Sequence, residues 1–237
     1  MKISVVIPAY NEEARIGNVL DSIAEYFSKK ESLAGEYEII VVVNGSSDRT
    51  AEIVADKIAA LPGIRIVDVK ERIGKGGAVI KGFEASLGDV VGFTDSDRAV
   101  GPAEIYRLAD WLSKSDLDGV IGSRRVKGAI IPMKQSWIRR SLSWWFNLLV
   151  DMLFNLGFKD TQCGVKFFKR RTINGILPEI KTRGYEFDVE LLWVAKKKGF
   201  KIAEMPITWS HQGGSKFGFS EIPKMFFSLL KLRLRCE

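Results

Sequence analysis

The chain has 237 residues, 46% of them hydrophobic, which suffices for a full core and fits one α/β domain. Its formal charge of +7 points to an anionic partner such as nucleic acid, a phosphorylated substrate or an acidic lipid surface. Two cysteines, Cys163 and Cys236, are too few for a disulfide framework and lack metal-ligand spacing, so a reducing compartment is expected.

The opening Met1 to Pro8 is too short for a signal peptide and reads as a first strand. No run approaches about 18 consecutive apolar residues, so no transmembrane helix is expected. Strand patterns fall near 2–8, 38–43, 64–69 and 89–94, and helical patterns near 12–28, 48–60 and 76–86. This alternation predicts a mostly parallel, doubly wound sheet with helices on both faces. A further helix is expected near 103–115, followed by a strand at Gly119 to Gly122.

The loops at the strand ends carry the polar chemistry. Pro8-Ala9-Tyr10-Asn11-Glu12-Glu13 leaves the first strand, with Pro8 stopping the ladder and Asn11 capping a helix. Asn44-Gly45-Ser46-Ser47-Asp48 is a tight turn in which Ser46 or Ser47 caps the next helix. Gly74-Lys75-Gly76-Gly77 puts glycines and a lysine at a helix N-terminus, where free amides favour phosphate, although it is neither a Walker loop nor a dinucleotide fingerprint. Asp95-Ser96-Asp97 ends a buried strand, where open α/β sheets bind ligands. Two carboxylates at i and i+2 suit Mg²⁺ or Mn²⁺ carrying a diphosphate, and also suit a plain solvated turn. Ser123-Arg124-Arg125 offers paired arginines at another strand end.

The rest of the chain is more apolar. Residues 136–156 read as a helix with a narrow polar stripe of Arg140, Ser143, Asn147, Asp151 and Asn155, either buried or lying in a membrane interface. Residues 220–235 read as a basic amphipathic helix, with Lys224, Ser228, Lys231 and Arg235 on one face, suited to acidic lipid. Between them, Asp160 to Lys166 is a polar loop, and three acids lie around a helix start at Tyr185 to Leu192. The only histidine, His211, has no evident catalytic partner.

Taken in order, Val6 to Glu13, the turn from Asn44, Gly74 to Gly77, Asp95-Ser96-Asp97 and Gly122-Ser123-Arg124 together resemble glycosyltransferase family 2. Within it, Asp160 to Lys166 followed by Phe187 to Leu192 is similar to the dolichyl-phosphate glucosyltransferases, with the mannosyltransferases next. The resemblance implies a single Rossmann-like nucleotide-sugar-binding domain, the glycosyltransferase A fold, over 1–217; the residue pattern makes 218–237 a C-terminal basic amphipathic helix suited to anchoring at a membrane surface. It implies a donor site of Pro8, Ala9, Tyr10, Glu12, Asn44, Lys75 and Ser96, with Asp95 and Asp97 on the metal and Ser215 and Lys216 over the phosphates. Ser123, Arg124, Arg139 or Arg140, and Gln162 would receive the lipid phosphate, and Asp160 to Gly164 would line the reaction centre. Related sequences usually carry an aspartate pair where this chain has Val43-Asn44; asparagine suits a uracil N3 proton better than guanine's two donors, which favours UDP.

The expected reaction is therefore inverting transfer of a hexose, foremost glucose from UDP-glucose, onto dolichyl or polyprenyl phosphate, by a protein peripheral on the cytoplasmic face of a membrane. Mannose from GDP-mannose and N-acetylglucosamine from UDP-N-acetylglucosamine are the alternative donors. Transfer to a sugar hydroxyl would need a base, for which Asp188 or Asp160 is the candidate. A non-catalytic nucleic-acid module is disfavoured, because no aromatic platform is arranged with basic residues.

Overall fold

The structure is a computed structural model that describes residues 1–31, 33, 36–132, 137–210 and 221–234. Seven strands form one sheet in the order β3-β2-β1-β4-β6-β5-β7. They are β1 (Ile3–Ala9), β2 (Tyr37–Asn44), β3 (Ile64–Val69), β4 (Val90–Thr94), β5 (Gly119–Ser123), β6 (Val165–Lys169) and β7 (Ile202–Pro206). All pairings are parallel except those of β6, which runs antiparallel to both β4 and β5.

The central strands are buried on both faces, which is why they read as unbroken apolar runs. In β1, Val5 and Ile7 pack toward α1 (Ile16–Ser28), α2 (Thr50–Ala60) and α4 (Pro102–Lys114), while Val6 packs toward the opposite layer. That layer holds α3 (Gly74–Ala85), α6 (Arg170–Ile176) and α7 (Phe187–Lys197), with α5 (Trp137–Phe154) and α8 (Glu221–Leu234) contributing Val150, Phe154, Leu229 and Leu232.

Neither β6 nor β7 is evident from sequence periodicity. β6 enters between β4 and β5 because small residues face its bulky ones: Gly92 pairs with Phe167 and Gly119 with Phe168. A Cβ at Gly119 would lie 2.6 Å from the Phe168 ring.

Three local expectations need correction. β1 continues through Pro8 to Ala9 along β2, and only its pairing with β4 ends earlier, at Val6. Asn11 does not cap α1, which starts at Ile16; its backbone is left-handed (φ 52°) and its Oδ1 accepts the Ser47 N–H at 2.8 Å. At α2 the carboxylate of Asp48, not Ser46 or Ser47, accepts the Thr50 N–H at 3.0 Å.

Candidate active site

The carboxyl ends of β1, β2, β4 and β5 converge with the loop that precedes β6 and the starts of α3 and α7. Loops from the first two strands are stapled to each other. Asn11 N–H donates to Ser46 Oγ at 3.0 Å, and Glu12 N–H donates to Thr50 Oγ1 at 2.7 Å. Glu12 pairs with Arg15 at 2.6 Å, and the Tyr10 ring lies 4.2 Å from the Arg72 guanidinium. Asn44 is buried, and its Oδ1 accepts the Ile73 N–H at 2.7 Å, fixing the approach to α3. Reading a base N3 proton would therefore call on the second lone pair of that oxygen.

The glycine-rich start of α3 is not an open phosphate cradle. Gly76 N–H donates to the Gly184 carbonyl at 3.2 Å and Gly77 N–H to the Arg183 carbonyl at 3.1 Å. Gly74 has φ 80°, and a Cβ there would collide with the Arg183 carbonyl. The glycines let the chain before α7 approach, and it takes the amides of Gly76 and Gly77. What α3 presents to the site is Lys75, whose ammonium lies 2.9 Å from Asp95 Oδ1 and 3.4 Å from Asp188 Oδ2. Burial works against that charge, but Asp188 and Asp95 outweigh it and hold the ammonium above the ordinary lysine range.

Asp95 is tied to the loop before β6, its N–H donating to the Gly164 carbonyl at 3.0 Å and its carboxylate packing on Gly164. Ser96 is buried, and Asp97 Oδ1 accepts the Ala99 N–H at 2.9 Å. Burial, then the neighbouring Asp95, raises the Asp97 carboxyl above its ordinary range. Paired hard oxygens whose repulsion a cation would relieve fit Mg²⁺ or Mn²⁺. Among the described residues no third carboxylate, Cys or His completes a cage, so the remaining ligands would have to be substrate oxygens and water.

On the other side, Asp160 is fully buried and engages Arg124 through both carboxylate oxygens: Nε donates at 2.7 Å and Nη2 at 2.8 Å. Against the push of burial, Arg124 holds this carboxyl below the usual range. Glu204 of β7 accepts the N–H groups of Lys159 and Asp160, and Asn147 of α5 accepts from Thr161 N–H and Oγ1. Ser123 is buried and its Oγ accepts the Arg125 N–H at 3.2 Å. Gln162 Nε2 is buried with no hydrogen-bond partner among the described residues. Asp188, the other acid considered as a base, lies between Lys75 and Lys166 and pairs with both. Lys166 escaped the sequence reading as a site residue, although a lysine inside the apolar run Val165 to Phe168 is a signal that its charge needs a buried partner.

Pro8 and Ala9 sit at the β1 tip, beside the β2 residues Val42 and Val43. Arg139 and Arg140 fall in the first turn of α5 with their side chains outside the described ones, and Ser215, Lys216 and His211 lie outside the described residues.

Residues 4–172 match the sequence model of Glycosyl transferase family 2. The chain is 36% identical over 242 residues to a dolichyl-phosphate beta-glucosyltransferase of Dictyostelium discoideum, covering 98% of this chain and 74% of that one. It is 33% identical to the human dolichyl-phosphate beta-glucosyltransferase over 245 residues, covering 99% and 75%. In fold it is similar to glucosyl-3-phosphoglycerate synthase from Mycobacterium tuberculosis, crystallised with Mn²⁺, uridine diphosphate and glucosyl-3-phosphoglycerate, with a TM-score of 0.73 at 24% identity over 98% of this chain and 79% of that one.

Proposed function

The chain belongs to glycosyl transferase family 2, and from that premise we propose that it transfers glucose from UDP-glucose to the phosphate of dolichyl or another polyprenyl phosphate, inverting the anomeric carbon. Similarity to dolichyl-phosphate beta-glucosyltransferases over nearly the whole chain supports the substrates. The geometric observation that carries the reading is the state of the two candidate bases. Asp160 is locked on Arg124 and Asp188 between two lysines, so neither carboxylate is poised to take a proton from a sugar hydroxyl. A phosphate monoester needs no such base, because its second pKa is about 6 and it is already an anion at neutral pH.

In this mechanism Tyr10, Glu12 and Asn44 border the nucleoside, and Lys75 with Asp95 and Asp97 lies at the diphosphate. A divalent cation on Asp95 and Asp97 would neutralise charge growing on the leaving nucleotide diphosphate. Arg124, oriented by Asp160, meets the acceptor phosphate together with Ser123 and Gln162, so that the acceptor oxygen is aligned with the anomeric carbon.

The protein works peripherally at the cytoplasmic face of a membrane. Among the described residues no helix is long and apolar enough to cross one. Supporting a surface location, α5 turns polar Asn147 inward and leaves Trp145 and Met152 exposed, while α8 buries Met225 and Leu229 and exposes Phe227. An outward apolar face of this kind suits the headgroup boundary.

The test compares UDP-glucose, UDP-N-acetylglucosamine and GDP-mannose as donors, with a short polyprenyl phosphate or soluble sugars as acceptors. Lipid product from UDP-glucose is the expected result. Transfer only to sugars would overturn the acceptor, and product from GDP-mannose alone would overturn the donor.

A further inference from the structure

Lys166 is fully excluded from solvent, the second residue of the strand that runs antiparallel in the sheet. Its ammonium donates to the Cys163 carbonyl at 2.7 Å and pairs with Asp188, which is 1% exposed. The second oxygen of Asp188 meets Lys75, and Lys75 meets Asp95. The two ammonium groups lie 5.3 and 5.5 Å from the centre of one ring, that of Phe93. One continuous chain of contacts thus runs from the Asp160 to Gly164 loop on the acceptor side, through the start of α7, to the carboxylate at the end of β4.

A buried lysine is retained only where its charge is compensated, and such a pair often stabilises no better than apolar residues of the same volume. Its position here is what gives it a use. We propose that Lys166 is a positioning residue for glycosyl transfer, setting the Cys163 carbonyl and, through Asp188, the placement of Lys75 against the donor diphosphate. Lys166 touches neither substrate. It couples the two halves of the site, so that the loop facing the acceptor and the lysine facing the donor keep a fixed separation. The inference rests on the glucosyl-transfer reading for its kinetic part and on nucleotide binding for the rest.

The experiment compares Lys166→Met with the charge-balanced double variant Lys166→Met/Asp188→Leu. The single change leaves Asp188 with one partner fewer and should lower the unfolding temperature clearly. The double variant should recover to within about 3 °C of wild type, because an apolar pair replaces a buried ionic one. It should nevertheless bind UDP with Mn²⁺ more weakly in calorimetry, and turn over UDP-glucose more slowly, by about 10- to 100-fold. Wild-type UDP affinity and turnover in a double variant of wild-type stability would overturn the proposal and leave the pair purely structural. A wild-type protein that makes no lipid product would defeat the reaction, while the calorimetric comparison would still decide the role of Lys166. Should the double variant not fold, Lys166→Gln, which keeps a donor toward the Cys163 carbonyl, is read by the same calorimetry: weakened UDP binding is expected, and unchanged binding overturns the proposal.

Discussion

Arg124 meets Asp160 three times: its main-chain N–H and its Nε donate to Oδ2 at 2.9 and 2.7 Å, and its Nη2 donates to Oδ1 at 2.8 Å. The guanidinium is thereby held in one orientation, 5.4 Å from the Trp209 ring, at the tip of β5.

Asp160→Ala should therefore cost stability as well as activity. Removing one member of a buried pair is strongly destabilising, and because Arg124 keeps some exposure the lower end, about 3 kcal/mol, is expected in denaturant unfolding. The pH dependence follows from the same pair. Since the folded protein holds this carboxyl below its ordinary range, its contribution is present above the unfolded aspartate pKa of about 4 and is lost as pH falls through the lowered folded value. In Asp160→Asn that part of the acid slope should disappear.

Gly76→Ala tests the reassignment of the α3 start. The new methyl group would lie 2.8 Å from Phe187 Cγ and 3.0 Å from the Gly184 carbonyl, so overpacking should cost about 1–3 kcal/mol in unfolding experiments. Because Phe187 adjoins Asp188, turnover should drop too. A variant of wild-type stability would mean that the chain before α7 does not pack on these glycines.

Cys163 sits in the loop from Asp160 to Gly164, yet its thiol is buried and pushed up to about 12, by burial first and then by Asp160. Native protein treated with iodoacetamide at pH 8 should leave Cys163 unlabelled in peptide mass spectrometry, and unfolding in urea should expose it. Rapid native labelling would contradict the packing of this loop.

The exposed apolar residues of α5 and α8 make a fourth prediction. Met152→Ser with Phe227→Ser should weaken sedimentation with acidic lipid vesicles while leaving the unfolding temperature unchanged, since both side chains are largely exposed. Undiminished vesicle binding would move the membrane contact elsewhere.

What could be read from the sequence follows the range of the interactions involved. The alternation of β1 to β5 with their helices, and the position of Asp95 and Asp97 at a strand end, come from local periodicity and were legible. β6 was not, because five residues interrupted by Lys166 give no period, and its place depends on Gly92 and Gly119 in two other strands. The phosphate reading of Gly74 to Gly77 failed for a similar reason. The amides of Gly76 and Gly77 are taken by carbonyls of Gly184 and Arg183, which lie far along the chain. Asn11 looked like a cap, whereas its side-chain oxygen fastens the turn after β2; that Asn44 Oδ1 also accepts the Ile73 N–H is likewise a use that local composition does not show.

The central claim is tested most directly by measuring glucosyl transfer from UDP-glucose to a short polyprenyl phosphate in detergent with Mn²⁺ or Mg²⁺, wild type against Asp97→Ala. Metal-dependent lipid product from wild type is expected, and its loss in a variant that remains folded. Wild-type protein that binds UDP yet forms no lipid product, or an Asp97→Ala variant that turns over at the wild-type rate, would contradict it.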